Sequence, residues 1–140
     1  CIGVSFAMAL AQARPGLVTA LVSQNPIGLS ATNRAALDQE CANWEAEVRN
    51  WPEIDPAALP AFRKRMFGGD FIFSVSREFV RGCRIPTLLM PGDDVVHPAT
   101  VSADLAQAPT VEVLQPWKGV ALRDAAMERV RTFLLQHTPT

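Results

Sequence analysis

The spacing of apolar residues changes along the chain and divides it into three parts. Residues 4–13 form an almost continuous apolar run typical of a buried helix, whereas residues 17–22, 85–90 and 111–114 are short runs typical of buried strands. Between the first two strands the apolar residues recur at helical spacing. Strand–helix units on both sides of an all-helical segment predict a parallel sheet with a helical insertion.

The inserted segment is predicted to contain three short helices, near residues 37–51, 59–66 and 70–80. The first of them carries one apolar stripe, which consists of Leu37, Cys41, Trp44, Val48 and Trp51. Two further helices, at residues 98–108 and 122–134, are expected to alternate with the last two strands. The whole pattern indicates the α/β class.

The first residues have the pattern of a nucleophile elbow, in which a reactive side chain lies on a sharp turn before a buried helix. Cys1 takes the reactive position, and Gly3 lets the following helix approach the sheet closely. The helix N-terminus would stabilise a thiolate at Cys1. An elbow also needs a preceding strand, so we expect these 140 residues to be the C-terminal part of a longer protein. The alternative is a complete small domain.

Composition excludes several classes of function. Hydrophobic residues make up 49% of the chain and the net charge is −1, so a packed core is expected and nucleic acid is not an expected partner. The three cysteines form no C-x-x-C pair, which argues against a disulfide framework or a zinc site and favours a cytoplasmic protein. No secretory signal or membrane-spanning segment is recognised, so no membrane partner is expected.

Two segments near the strand ends carry a family resemblance. Residues 22–26 (VSQNP) combine a hydrophobic run with Asn-Pro, and residues 86–94 (PTLLMPGDD) place a glycine just before an acidic residue. Pro98 follows Asp94 by four residues. In this order, after the elbow, these motifs resemble the C-terminal half of an α/β-hydrolase.

The resemblance implies a partial parallel-sheet α/β-hydrolase fold, made of its last three strands with a helical cap insertion. Residues 1–28 would hold the elbow helix and strand 6. Residues 29–83 would form the cap, and residues 84–140 would hold strands 7 and 8 and the C-terminal helix.

The resemblance also implies a site that cleaves a carbonyl ester, a thioester or a similar bond. Cys1 would be the nucleophile, the Ile2 N–H group an oxyanion donor, and Asp94 the triad acid. The family's histidine belongs in the loop after strand 8, but residues 115–119 (QPWKG) contain none. Without an imidazole there, no ordinary general base would activate the nucleophile.

Three nearby residues have alternative roles. His97 lies three residues after Asp94 and could be a displaced base, although the following proline favours a merely structural role at a helix start. Asp94 could equally be a turn residue that caps that helix. Lys118 lies where the histidine is missing, and a surface role is favoured over that of a base.

Three functions therefore stay open at this point. The first is a Cys1-dependent hydrolase that acts on an apolar small-molecule substrate, which the aromatic residues of the cap favour. The second is an inactive hydrolase-like protein that binds a small apolar ligand. The third is an N-terminal-nucleophile hydrolase in which the α-amine of Cys1 is the base, although that class expects a strand after the nucleophile. No metal or organic cofactor is implied, and the substrate and the oligomeric state are not indicated.

Overall fold

A three-stranded parallel sheet organises the computed structural model, which describes residues 1–138. The strands are β1 (Leu21–Gln24), β2 (Thr87–Met90) and β3 (Val111–Val113), and they pair in the order β1-β2-β3. Leu21 pairs with Thr87, and Thr87 pairs with Val111. The predicted parallel pairing and strand order are confirmed, and the chain is a mixed α/β protein.

Each strand is shorter than the apolar run that predicted it, and β1 also begins later. The segment predicted to start the first strand is a loop, in which Leu17 is 60% exposed. Gly16 precedes it with a φ of 86°, a left-handed conformation that turns the chain before the strand. Pairing with β2 holds only the last two residues of the run, Leu21 and Val22, and the two residues that follow it in extended form.

Four helices flank the sheet or lead into it. They are α1 (Gly3–Ala13), which packs against β1, α4 (Arg77–Gly82), α5 (Ala99–Leu105) and α6 (Arg123–Gln136). The main hydrophobic core lies between α1, β2, α4 and α5. It includes Val4, Met8, Phe71, Ile72, Val75, Val80, Leu89, Val101 and Leu105. Residues 71–80, which the sequence assigned to the cap, thus pack into this core.

The predicted helix over residues 70–80 is wrong in its first half. Residues 70–76 form turns and bends, and Phe71 and Phe73 have left-handed φ angles of 54° and 72°, which no α-helix allows. The helix α4 begins only after Ser76, whose side chain accepts a hydrogen bond from the Phe79 N–H group. Phe71 and Val75 are four residues apart and buried, as in a helix, but they belong to a folded loop.

The other two inserted helices are α2 (Arg34–Val48) and α3 (Leu59–Phe67). Leu37, Cys41 and Val48 are buried as expected, but α2 ends before Trp51, which is 51% exposed. Leu37 belongs to a small buried cluster against which Val96, a residue of the loop that follows β2, packs. This contact places α2 near the carboxyl ends of the strands, where the predicted site residues lie.

The helices do not reach membrane-spanning dimensions. Within residues 1–138, none combines the length and the hydropathy that crossing a bilayer would need.

Candidate functional site

Cys1 lies between the end of β1 and the start of α1. Its backbone nitrogen is 2.5 Å from the carbonyl oxygen of Gln24, the last residue of β1, and its side chain is exposed. Its carbonyl oxygen accepts the Val4 N–H group in the first turn of the helix. The thiol therefore lies at the carboxyl edge of the sheet beside a helix N-terminus, where a parallel α/β sheet ordinarily carries its site.

The loop between β2 and α5 is folded around Asp94. One oxygen of its carboxylate, Oδ1, accepts hydrogen bonds from the backbone N–H groups of Val96, at 2.9 Å, and His97, at 2.8 Å. Earlier in the loop, the Gly92 N–H group donates to the buried Ser102 Oγ at 3.0 Å. These bonds tie both ends of the loop to the fold and fix the position from which His97 extends.

The imidazole of His97 connects Asp94 to Cys1. Its Nδ1 atom is 2.9 Å from Asp94 Oδ1 and 3.0 Å from Oδ2, and its Nε2 atom is 3.3 Å from Cys1 Sγ. The histidine side chain is 18% exposed, so it is held between its two partners rather than extended into solvent. The structure thus brings Cys1, His97 and Asp94 together in the order thiol, imidazole, carboxylate.

The hydrogen bond between Asp94 and His97 indicates which nitrogen of the neutral ring carries the proton. The hydrogen bond from the His97 side chain is the largest influence on the pKa of Asp94 and holds that pKa below its usual value; the backbone N–H donors act in the same direction. An ionised carboxylate only accepts, so Nδ1 must carry a proton. In the neutral imidazole, Nε2 then has its lone pair directed at the sulfur of Cys1.

Asp94 binds the imidazole, but it does not cap the next helix: the N-cap of α5 is Pro98, and the backbone N–H groups that Asp94 accepts belong to the loop before it. The neighbouring Asp93 is largely exposed and forms an ion pair with Lys118. Lys118 is 38% exposed and lies over the Trp117 ring, 5.4 Å from its centroid. An exposed, ion-paired ammonium group is poorly suited to be a base.

The start of α1 provides a backbone hydrogen-bond donor close to Cys1. The backbone N–H group of Ile2 precedes the first hydrogen-bonded turn, and among residues 1–138 no backbone acceptor faces it. Ile2 adjoins Cys1 in the chain, so this donor lies near any group that is bonded to the sulfur.

The remaining cysteines and the second histidine have different surroundings. Cys41 and Cys83 are 7% and 8% exposed, and burial raises the pKa of the Cys41 thiol. His137 lies 4.7 Å, centroid to centroid, from the Phe133 ring at the end of α6. Within residues 1–138, no group of three or more His, Cys, Asp or Glu side chains is arranged to hold a metal ion.

An apolar cavity of about 360 Å³ is lined mainly by residues of α2 and α3, and none of the triad residues lines it. A small cluster that includes Ile27, Leu37 and Phe73 packs against both Ile2 and Val96, the residues adjacent to Cys1 and His97 in the chain. Ile27, Leu37 and Val96 also line the cavity. A larger open concavity of about 1100 Å³ extends along α6, and none of the triad residues lines it.

Comparisons with protein-family models, with curated proteins and with solved structures give no match for this chain. The function is therefore argued from the geometry of the site.

Proposed function

We propose that this chain is an α/β-hydrolase-like enzyme that hydrolyses a carboxylic ester or thioester through Cys1. The observation that carries the proposal is the position of the His97 imidazole, which is 3.3 Å from Cys1 Sγ and 2.9 Å from Asp94. A nucleophile, a base and a group that orients the base are the parts that covalent acyl transfer needs. The base that the sequence motif lacks after β3 is supplied here from the loop after β2.

The first half of the reaction uses each group once. His97 Nε2 takes the thiol proton of Cys1 as the sulfur attacks the carbonyl carbon, and the Ile2 N–H group donates to the developing oxyanion. The carbon–oxygen or carbon–sulfur bond to the leaving group then breaks, and the imidazolium returns the proton to that group. Asp94 stabilises the imidazolium and keeps Nδ1–H directed away from the sulfur.

The second half releases the acid. The same imidazole removes a proton from a water molecule, which attacks the thioester carbon on Cys1, and the proton passes to the sulfur as the thioester bond breaks. The overall change is the addition of one water molecule across the substrate bond. No electron transfer occurs.

The α-amine of Cys1 is the base of the competing N-terminal-nucleophile mechanism. A helix, α1, follows Cys1 where that class expects a strand, and the Cys1 nitrogen faces the Gln24 carbonyl. An imidazole already lies in hydrogen-bonding distance of the sulfur. These three features support the histidine mechanism.

The test uses a chain extended by Met-Gly before Cys1, which turns the amine into an amide and prevents an acyl group from migrating from sulfur to nitrogen. We expect p-nitrophenyl acetate to acylate this chain at Cys1, as shown by peptide mass mapping. Cys1→Ala, which removes the nucleophile altogether, should lower turnover by about 10⁴-fold or more, as for other nucleophile losses. Cys83→Ala is the matched control and should retain turnover.

Two results would contradict the proposal. Loss of activity in the extended chain with retention in the unextended chain would favour the amine as base. Absence of acylation and turnover across acetyl, butyryl and benzoyl oxygen esters and thioesters would favour an inactive, ligand-binding protein.

A further inference from the structure

The apolar cavity lined by α2 and α3 is connected to the reaction site by two residues, Val96 and Ile2, which are neighbours of His97 and Cys1 in the chain. Val96 lines the cavity and directly precedes His97, whereas Ile2 directly follows Cys1 and packs on the cluster that borders the cavity. Residues adjacent in the chain have Cα atoms about 3.8 Å apart, so the cavity wall at Val96 is one residue from His97, although neither His97 nor Cys1 itself lines the cavity.

We propose that this cavity binds the acyl group of the substrate, and that this group is small, apolar and uncharged. The inference rests on the function proposed above. Large side chains from both helices and from the core form the walls, among them Leu37, Trp44, Phe62, Met66 and Phe67. These apolar side chains stabilise a hydrocarbon group and offer no hydrogen-bond partner to a buried polar one.

The volume sets the size of the group. About 360 Å³ is near the lower end of the range of about 300–1,000 Å³ typical of ligand pockets. The cavity therefore suits a short aliphatic chain or a single aromatic ring rather than a long fatty acyl chain.

A charged residue in the cavity lining further restricts which acyl groups can bind. Glu40 is the one formally charged side chain among the residues that line the cavity. The thiol of Cys41 also lines it and stays neutral, because burial raises its pKa. A second carboxylate on the acyl group would be repelled by Glu40 and would find no cation among the lining residues. The site therefore selects monoacyl groups against those derived from dicarboxylic acids.

The experiment varies the acyl group and the cavity together. In the wild-type chain, kcat/KM for p-nitrophenyl esters should rise from acetyl to hexanoyl by about threefold per methylene and fall at least tenfold again by dodecanoyl. The half-ester of adipic acid, equal in chain length to the hexanoyl ester, should react at least tenfold more slowly.

Met66→Trp fills the cavity from α3. It should lower kcat/KM at least tenfold for the hexanoyl ester and leave the acetyl ester within about twofold, because the acetyl group does not reach the cavity. Arg65→Trp, on the exposed side of the same helix, is the matched control and should change neither. A Met66→Trp chain with unchanged hexanoyl preference overturns the proposal.

A binding measurement separates this proposal from the catalytic one. The amide bond of hexanamide is cleaved far less readily than the bond of an activated ester, so hexanamide acts as a non-reacting probe. Its binding can be followed by calorimetry in Cys1→Ser as well as in the wild type. We expect binding that Met66→Trp weakens at least fivefold and Arg65→Trp does not. If acetyl ester turnover depends on Cys1 but hexanamide does not bind, the cavity is not the acyl site while the hydrolase function stands. If hexanamide binds without any turnover, the cavity assignment stands and the hydrolase function does not.

Discussion

Gly92 has no side chain at the point where the backbone of His97 passes over it. A Cβ atom at position 92 would lie 2.3 Å from the His97 carbonyl oxygen and 2.6 Å from the His97 Cβ atom. Both distances are far inside van der Waals contact, so any other residue there must displace the loop that carries the imidazole. The close approach of Gly92 thus determines how near His97 can come to Cys1.

Gly92→Ala should therefore impair activity without touching a reacting group. We expect a loss of about 1–3 kcal/mol in the free energy of unfolding, as for other overpacked sites, and a fall of about 10²-fold in kcat/KM, as for a misplaced catalytic group. Urea unfolding and ester turnover measure the two effects. Gly82→Ala is the control, because open space surrounds that position at the end of α4. Equal activity in both variants would show that the loop accommodates the methyl group.

Removal of the imidazole tests the base directly. His97→Gln should lower kcat/KM by about 10²–10⁴-fold, the usual contribution of a positioned general base, while the Asp94 bonds to the backbone N–H groups keep the loop in place. His137→Gln, at the end of α6, should leave the rate unchanged. If the two variants turn over ester equally fast, His97 has only a structural role.

Asp94→Asn should reduce both activity and the pH dependence of stability. The pKa of Asp94 is lowered in the folded chain from its ordinary value of 3.8, so its ionised form stabilises the fold fully above that value. This stabilisation is lost as the pH falls through the lower folded pKa. The gap in unfolding free energy between wild type and Asp94→Asn should thus be constant near pH 6–7 and shrink below about pH 4.

Asp93→Asn is the matched control for this experiment. It removes an exposed ion pair with Lys118, for which a change of at most about 1 kcal/mol is expected, and it leaves the imidazole contact intact. An Asp93→Asn variant as inactive as Asp94→Asn would contradict the assignment of the carboxylate that orients His97.

The three thiols should differ in reactivity towards iodoacetamide. We expect Cys1 to be alkylated at least about tenfold faster than Cys41 or Cys83, because it is exposed and has an imidazole beside it. Peptide mapping at short reaction times measures each rate. The advantage of Cys1 should decrease in His97→Gln, and an unchanged rate there would show that exposure alone explains it.

The sheet could be predicted from the sequence because buried parallel strands leave continuous apolar runs. The position of Cys1 just before a buried helix could be predicted for a similar reason, since Cys1, Gly3 and the apolar helix are adjacent in the chain. The helix expected at residues 70–80 could not be corrected in this way. Phe71 and Val75 have helical spacing, yet they reach the core from a loop with left-handed residues, and spacing alone does not report φ.

The role of His97 was the main gap in the candidate site. Its signal was its separation of three residues from Asp94, but a histidine before a proline at a helix start favours a structural role. Only the turn around Asp94 and the position of Cys1, which is 96 residues away, bring the ring to the sulfur. That relation depends on the pairing of β1 with β2, which a local pattern does not contain.

The two contacts within the triad also differ in the sequence separation of the residues that they join. Asp94 and His97 are separated by three residues, whereas Cys1 and His97 are separated by 96. For a flexible chain, closing the longer loop costs about 3 kcal/mol more in entropy than closing the shorter one. The acid and the imidazole can therefore meet within a single turn, whereas the sulfur joins them only once the sheet has formed. Partial opening of the fold would separate the nucleophile first and leave the acid–base pair assembled.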